Sequence, residues 1–183
     1  MTSTFATDWS AQAGEPSTIR LYKEGDIPSI AALVNTIANT TGQAKTTSEE
    51  ELVRDFGQPF SYPERQVIVA ETAGENKAES IVGYARVVDF YDESADQRLY
   101  QLWVRVHPAM EKDGLAGLLL ARLLEMVRDN ERKPETAHAG EVLLVAGARQ
   151  ADIASGQAFE AVGLKAVRYG WIMTRSLSEP IAE

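Results

Sequence analysis

The sequence predicts a mixed α/β sheet with helices on its faces. Three observations carry this: the periodicities run β-α-α-β-β-β-α-β-α-β, the central β segments are hairpin-spaced, and strand–helix–strand crossovers follow them. Thr18–Tyr22 alternates as a short strand does. Asp26-Ile27-Pro28 opens a helix with a capping carboxylate and a first-turn proline, and Ile30, Leu33, Val34 and Ile37 follow at helical spacing before Gly42. Thr47-Ser48-Glu49-Glu50 has capping-box form and starts a second, short helix through Leu52, Val53 and Phe56. Its run Glu49–Glu51 reads as a solvated helix start.

The period then changes to two. Gln66–Thr72 and Ser80–Phe90 are rich in Val and Ile and flank Gly74-Glu75-Asn76-Lys77, a hairpin turn. Leu99–Val106 is a third β run, closed by His107-Pro108. Gly114–Arg132 is the longest helix, with Leu115, Leu119, Leu123, Met126 and Val127 along one face. Glu141–Ala148, Ile153–Val162 and Leu164–Arg175 complete the order as strand, helix and strand. Trp103, Phe159 and Trp171 are expected in the core. In such sheets ligands favour the crevice beyond the strand ends.

Composition excludes several classes of chemistry. The 183 residues include 18 basic and 27 acidic side chains, a net charge of −9, and no cysteine. Disulfides, thiolate catalysis and Cys-ligated zinc are therefore out. His107 and His138 are too few for a His-rich metal site, so no metal is expected. An acidic chain lacks the basic stripe that displaces counterions from nucleic acid, so no nucleic-acid partner is expected. No stretch is long and apolar enough to span a bilayer, and the first residues do not form a secretory signal. A cytoplasmic protein without a membrane partner is the expectation.

The chemistry concentrates in Leu102–Leu119, where a buried strand runs into a loop and then a helix start containing Gly114, Ala116 and Gly117. Small residues let an anion approach the backbone, and the free N–H groups of a helix end hold phosphate oxygens. Glu111-Lys112-Asp113-Gly114-Leu115-Ala116, Ala158–Leu164 and Tyr169-Gly170-Trp171-Ile172-Met173 together resemble the GCN5-related N-acetyltransferase (GNAT) family, from about Ile19 to Arg175. A domain over 18–175 is expected, with 1–17 a frayed tail and 176–183 a tail or linker start. Thr46–Leu52, Phe60–Arg65 and Arg168–Trp171 are similar to the N-terminal half of tandem, mycothiol-synthase-like enzymes. That likeness implies a second such domain, or a second copy of the chain, as a partner.

The resemblance implies the acyl-CoA N-acyltransferase fold and transfer of an acetyl group from acetyl-CoA, the co-substrate, to a small-molecule amine. It implies that backbone groups of Val104 and Val106 pair with the pantetheine arm. Loop and helix-start groups of Lys112, Asp113, Gly114, Leu115, Ala116 and Gly117 would hold the pyrophosphate. His107 and Asp89 are the candidate bases, with Tyr91 and Asp92 beside Asp89. The sequence also departs from the family's pattern: Glu111 replaces the usual Arg or Gln, Asp113 a commonly basic residue, Phe159 a proton-donating Tyr, and Asp152 an Asn. Gln101, Trp103 and Arg105 stand where many members carry a Glu. Tyr84 and Tyr169 are the remaining phenols that could protonate a thiolate. These departures keep open an alternative: a non-catalytic module of this fold that binds CoA weakly or not at all and serves a partner domain.

Overall fold

Along Val67–Glu71, Val67 and Val69 point to one side, Ile68 and Ala70 to the other, and all four are 2% exposed or less. Only a strand covered on both faces buries alternate residues equally. The structure is a computed structural model that describes residues 18–42, 46–58, 61–72, 81–133, 140–150 and 152–170. The expected N-terminal tail, the Gly74–Lys77 turn, His138, Trp171 and the 176–183 tail lie outside these residues.

The described elements are β1 (Thr18–Leu21), α1 (Ile27–Thr40), α2 (Glu49–Phe56), α3 (Pro63–Gln66), β2 (Val67–Glu71), β3 (Ile81–Asp92), β4 (Gln97–Val106), α4 (Leu115–Glu131), β5 (Glu141–Ala146) and α5 (Ile153–Ala161). The sheet order is β1-β2-β3-β4-β5, antiparallel except for the parallel pair β4–β5. The predicted capping box is present: Glu51 N–H donates to Ser48 Oγ at 3.2 Å, and Ser48 N–H donates to the Glu51 carboxylate at 3.3 Å.

Two cores sandwich the sheet. On one face α4 and α5 bury Leu115, Leu119, Leu120, Leu123 and Phe159 against Ala85, Leu102 and Val104. On the other, α1 and α2 bury Ile30, Leu33, Leu52 and Phe56 against Val67 and Val69. A bulge at the β2–β3 register, between Ala70 and Glu71, shifts the alternation so that Ile81 joins the second core while Gly83 faces α4. A Cβ on Gly83 would stand 2.9 Å from Leu119 Cδ1, 3.4 Å from Leu115 Cδ2 and 3.3 Å from the Arg105 carbonyl. Glycine is what lets α4 lie directly on β3.

One expected element is corrected. Leu164–Gly170 is not a strand, and Val167 and Tyr169 are 92% and 88% exposed. Gly163, at φ +91°, ends α5 while Leu164 N–H donates to Phe159 O, a left-handed stop that turns the chain away from the helix. Alternation is only a fit to a pleated surface, and nothing pairs with this segment among the described residues.

The Arg20 guanidinium ties β1, β2 and the start of α1 together. It donates to both Asp26 oxygens at 2.7 Å and to Glu71 Oε2 at 2.8 Å. Burial alone would raise the Asp26 pKa, but Arg20 and the Lys23 N–H outweigh it and hold it below 3.8. Arg20 likewise holds Glu71 below 4.5. With both folded pKa values depressed, the stabilisation is complete above the unfolded values and lost as pH falls through the folded ones, from about pH 5 downward. Arg20→Ala is therefore expected to lower Tm at pH 7 and to narrow the gap between the melts at pH 7 and pH 3.

Candidate active site

The ladder leaves the end of β4 half open. β5 pairs with β4 only from Gln97 to Leu102, so Trp103–Val106 extend beyond it. His107 N–H donates to Val82 O at 2.8 Å. In an antiparallel ladder alternate residues bond the neighbour, so Trp103 and Arg105 turn their peptide groups to β3 while Val104 and Val106 turn theirs to the open side. Ser155, in the first turn of α5, takes part of this edge by donating its hydroxyl to Val104 O at 3.3 Å. The peptide groups of Val104 and Val106 therefore face the side that β5 leaves uncovered among the described residues, where Val104 O also accepts from Arg105 Nη1 at 2.8 Å.

After β4 the chain makes a 3-10 turn over Pro108–Asp113, and Gly114 at φ +71° redirects it into α4. Leu118 N–H closes the first turn on Gly114 O at 3.1 Å, which leaves the N–H groups of Leu115, Ala116 and Gly117 without intrahelical acceptors. Gly114 has no side chain to cap them, and the first turn holds no acidic residue. A Cβ on Gly114 would meet nothing within 4 Å. Among the described residues nothing stands against Gly114 at the positive end of this 17-residue helix.

Beside Ala116 of that first turn lies a crevice of about 240 Å³, which Gly114, Leu115 and Gly117 do not line. Val106 and Ala116 form one wall, the end of α1 at Thr41 and Gly42 another, and Asp152, Ala154 and Ser155 of the α5 start a third. Four charged groups line it: Arg105, Arg149, Glu111 and Asp152. Asp152 caps α5 by accepting from Ser155 N–H at 3.1 Å and meets Arg105 at 3.5 Å. Arg149 escaped sequence reasoning. Its signal was position alone, three residues past the end of β5, where ligands gather beyond strand ends. Glu111 does face the crevice; Lys112 is exposed and does not line it. Asp113 closes the 3-10 turn.

Across β4 the crevice abuts a second, larger groove of about 1110 Å³ between α2 and β3. Tyr84 of the groove and Arg105 of the crevice are direct cross-strand partners, and Trp103 lies two residues from Arg105 on the same face. Trp103, expected in the core, is only half-buried and lines the groove, because its strand face looks toward the short α2, which leaves it partly uncovered. Phe159 is buried.

The two candidate bases are not brought together. His107 caps the 3-10 turn, its Nδ1 accepting from Ala109 N–H at 3.2 Å, so its neutral ring carries the proton on Nε2. Asp89 borders the groove seven ladder steps away, roughly 23 Å. Its carboxylate is held by Arg98 at 2.7 Å. Arg98 also meets Glu131 at 3.3 Å, and Glu131 accepts the Tyr100 hydroxyl. Burial and that hydrogen bond push Tyr100 up to about 12. Of the two candidate phenols, Tyr169 is exposed and Tyr84 lines the groove, where burial raises it above 10 and keeps it protonated at neutral pH.

Residues 30–139 match the sequence pattern of the acetyltransferase (GNAT) family. The chain belongs to this family. The match contains β4, the 3-10 turn and α4, while Arg149, Asp152 and Ser155 of this GNAT chain lie beyond it. Among solved structures, a GCN5-related N-acetyltransferase from Sphaerobacter thermophilus superposes with a TM-score of 0.67 at 21% identity, over 84% of this chain and 45% of that one. The chain thus spans less than half of that protein's length. A putative acetyltransferase from Salmonella typhimurium, solved with its cofactor acetyl-CoA, has a TM-score of 0.60 at 24% identity, over 83% of this chain and 81% of that one. A ribosomal-protein-alanine N-acetyltransferase from Brucella melitensis reaches 0.55 at 25% identity, over 80% and 83% of the two chains. No curated protein matches the sequence. Among the described residues no helix is long and apolar enough to cross a membrane.

Proposed function

We propose that this chain transfers an acetyl group from acetyl-CoA to the amine of a small molecule by direct attack in a ternary complex. One observation carries the reading: the open edge of β4 meets the uncapped end of α4 in a crevice that adjoins a second groove. A two-substrate reaction needs two such adjoining sites. The peptide groups of Val104 and Val106 suit an extended amide-bearing arm. The N–H groups of Leu115, Ala116 and Gly117, with Arg149, suit its pyrophosphate.

When bound, acetyl-CoA supplies an activated thioester carbonyl. The chain's part is to align the amine with it: an ammonium first loses one proton to free the nitrogen lone pair, the N–C bond forms, the C–S bond breaks with its electrons leaving on the thiolate, and the nitrogen gives up a second proton. With no cysteine in the chain there is no thiol for an acyl-enzyme, which supports direct attack. His107 and Asp89 are both engaged elsewhere, so water or another carboxylate of the cavities takes the nitrogen's protons. Tyr84, protonated and beside Arg105, is the phenol placed nearest the junction of the two cavities.

The same departures favour a second reading. Glu111 in the crevice wall and the buried Phe159 suit a module of this fold that has lost catalysis and serves a partner domain or a second copy. A thermal-melt titration with acetyl-CoA, with desulfo-CoA as control, separates them. Saturation at 100 times Kd adds about 2.7 kcal/mol, a Tm rise of roughly 5–10 °C; no rise up to millimolar acetyl-CoA selects the second reading. Glu111→Gln removes a like charge worth about 1 kcal/mol against a nearby pyrophosphate. It is expected to tighten acetyl-CoA binding about fivefold at low salt and less at high salt, read by calorimetry.

A further inference from the structure

The groove beside the crevice has a composition of its own. Phe56, Tyr62, Tyr84, Phe90, Tyr91 and Trp103 line it, six aromatic rings in one cavity. Phe90, Tyr91 and Tyr62 are 50%, 55% and 46% exposed, so these rings are not spent on the core. Its charged lining is Asp55, Asp89, Glu93 and Arg86, beside the polar Gln58 and Ser61, and Asp89 is paired with the part-buried Arg98 behind it.

Arg86 is not free to serve as an anchor for an anion. It is 8% exposed, donates to Asp55 Oδ2 at 2.6 Å and to Ser61 Oγ at 3.2 Å, and is covered by the rings of Phe56 at 4.8 Å and Trp103 at 5.8 Å. Asp55, by contrast, keeps 58% of its side chain in solvent while holding Arg86. The accessible charge of the groove is therefore negative, and its walls carry the electron-rich faces that attract cations.

Tyr84 pairs with Arg105 and Trp103 with Arg86, so Tyr84 and Trp103 are diagonal neighbours on one face of the ladder. The same pair stands beside Arg105, where groove and crevice meet.

Resting on the transferase reading above, we propose that the acceptor is a cationic amine carried on a flat aromatic body, with its ring against the aromatic walls of the groove and its charge matched by the groove's carboxylates. Anionic and phosphorylated acceptors are disfavoured by the same carboxylates, and short aliphatic amines leave the aromatic walls unused.

Three probes separate ring from charge: tryptamine, butylamine, which lacks the ring, and indole-3-acetate, which keeps the ring and reverses the charge. Calorimetry on the full chain in the presence of desulfo-CoA is expected to give tryptamine a Kd at least tenfold below either of the others. Trp103→Leu is expected to erase most of tryptamine's advantage over butylamine. Equal binding of butylamine overturns the ring, and tighter binding of indole-3-acetate overturns the charge; both readings come from the wild-type protein and need no folded variant. Selective tryptamine binding without acetyl transfer from acetyl-CoA would sink the transferase reading and leave the aromatic-cation site standing. Transfer to all amines at similar kcat/KM would do the reverse.

Discussion

Gly114→Asp is expected to weaken acetyl-CoA binding by about 100-fold while leaving the apoprotein folded. The substitution places a carboxylate at the N-terminal end of α4, where the N–H groups of Leu115, Ala116 and Gly117 precede the first intrahelical bond, Leu118 N–H to Gly114 O. A carboxylate there interacts favourably with the helix end, so it competes with the incoming phosphates for the same donors. The site has room, since nothing lies within 4 Å of the added Cβ, and Asp is among the residues that tolerate a φ of +71°. The left-handed backbone costs the apoprotein roughly 1–2 kcal/mol, part of which the favourable charge at the helix end offsets. Gly114→Asn has the same shape without the charge, and is expected to retain most of the affinity at low salt. Calorimetry with acetyl-CoA, alongside urea melts of each apoprotein, checks both halves of the claim. Equal loss in the two variants would mean that shape, not charge, governs the site.

Leu119→Ala is expected to carry the largest stability cost, at the upper end of the 2.7–5.0 kcal/mol range for buried leucines. Leu119 is fully buried between α4 and the sheet, and its Cδ1 already lies over a residue with no side chain. Nothing beneath it can move up to fill the space. For a domain of this size the loss corresponds to roughly 10 °C in Tm. The first-turn donors of α4 are untouched, so the variant should still gain stability from acetyl-CoA. A loss below about 1 kcal/mol in urea unfolding would show that the helix and sheet close the cavity.

The parts of the site legible in the sequence are those set by local chemistry. The run from Val104 through His107-Pro108 to Gly114-Leu115-Ala116-Gly117 reads as strand, stop and helix start because its small residues and apolar spacing act within one or two turns. The Ser48–Glu51 capping box is readable for the same reason. What escaped was set by pairing across distance. Trp103 becomes a groove wall only because the ladder sets it against Arg86 on the face toward α2. Arg149 enters the crevice only because β5 ends short of β4 and delivers it there. Four-residue α3 is too short to show a period, and its proline at the first position signals equally a turn. Leu164–Gly170 has strand-like residues without a paired edge, which composition alone cannot distinguish from a strand.

The missing side chain at Gly83 has a consequence for how this family member can diverge. It fixes the clearance between α4 and β3, and with it the height of the helix's N-terminal donors above the open edge of β4. Neither Gly83 nor Leu119 lines the crevice, yet a methyl group added at 83 would press on the tips of Leu119 and Leu115 beneath the helix that carries Ala116 to its wall. A lineage that acquires a side chain at position 83 must therefore repack or shorten position 119 or 115. Across related sequences these positions should covary as a linked set, with their summed volume conserved more strictly than any one residue.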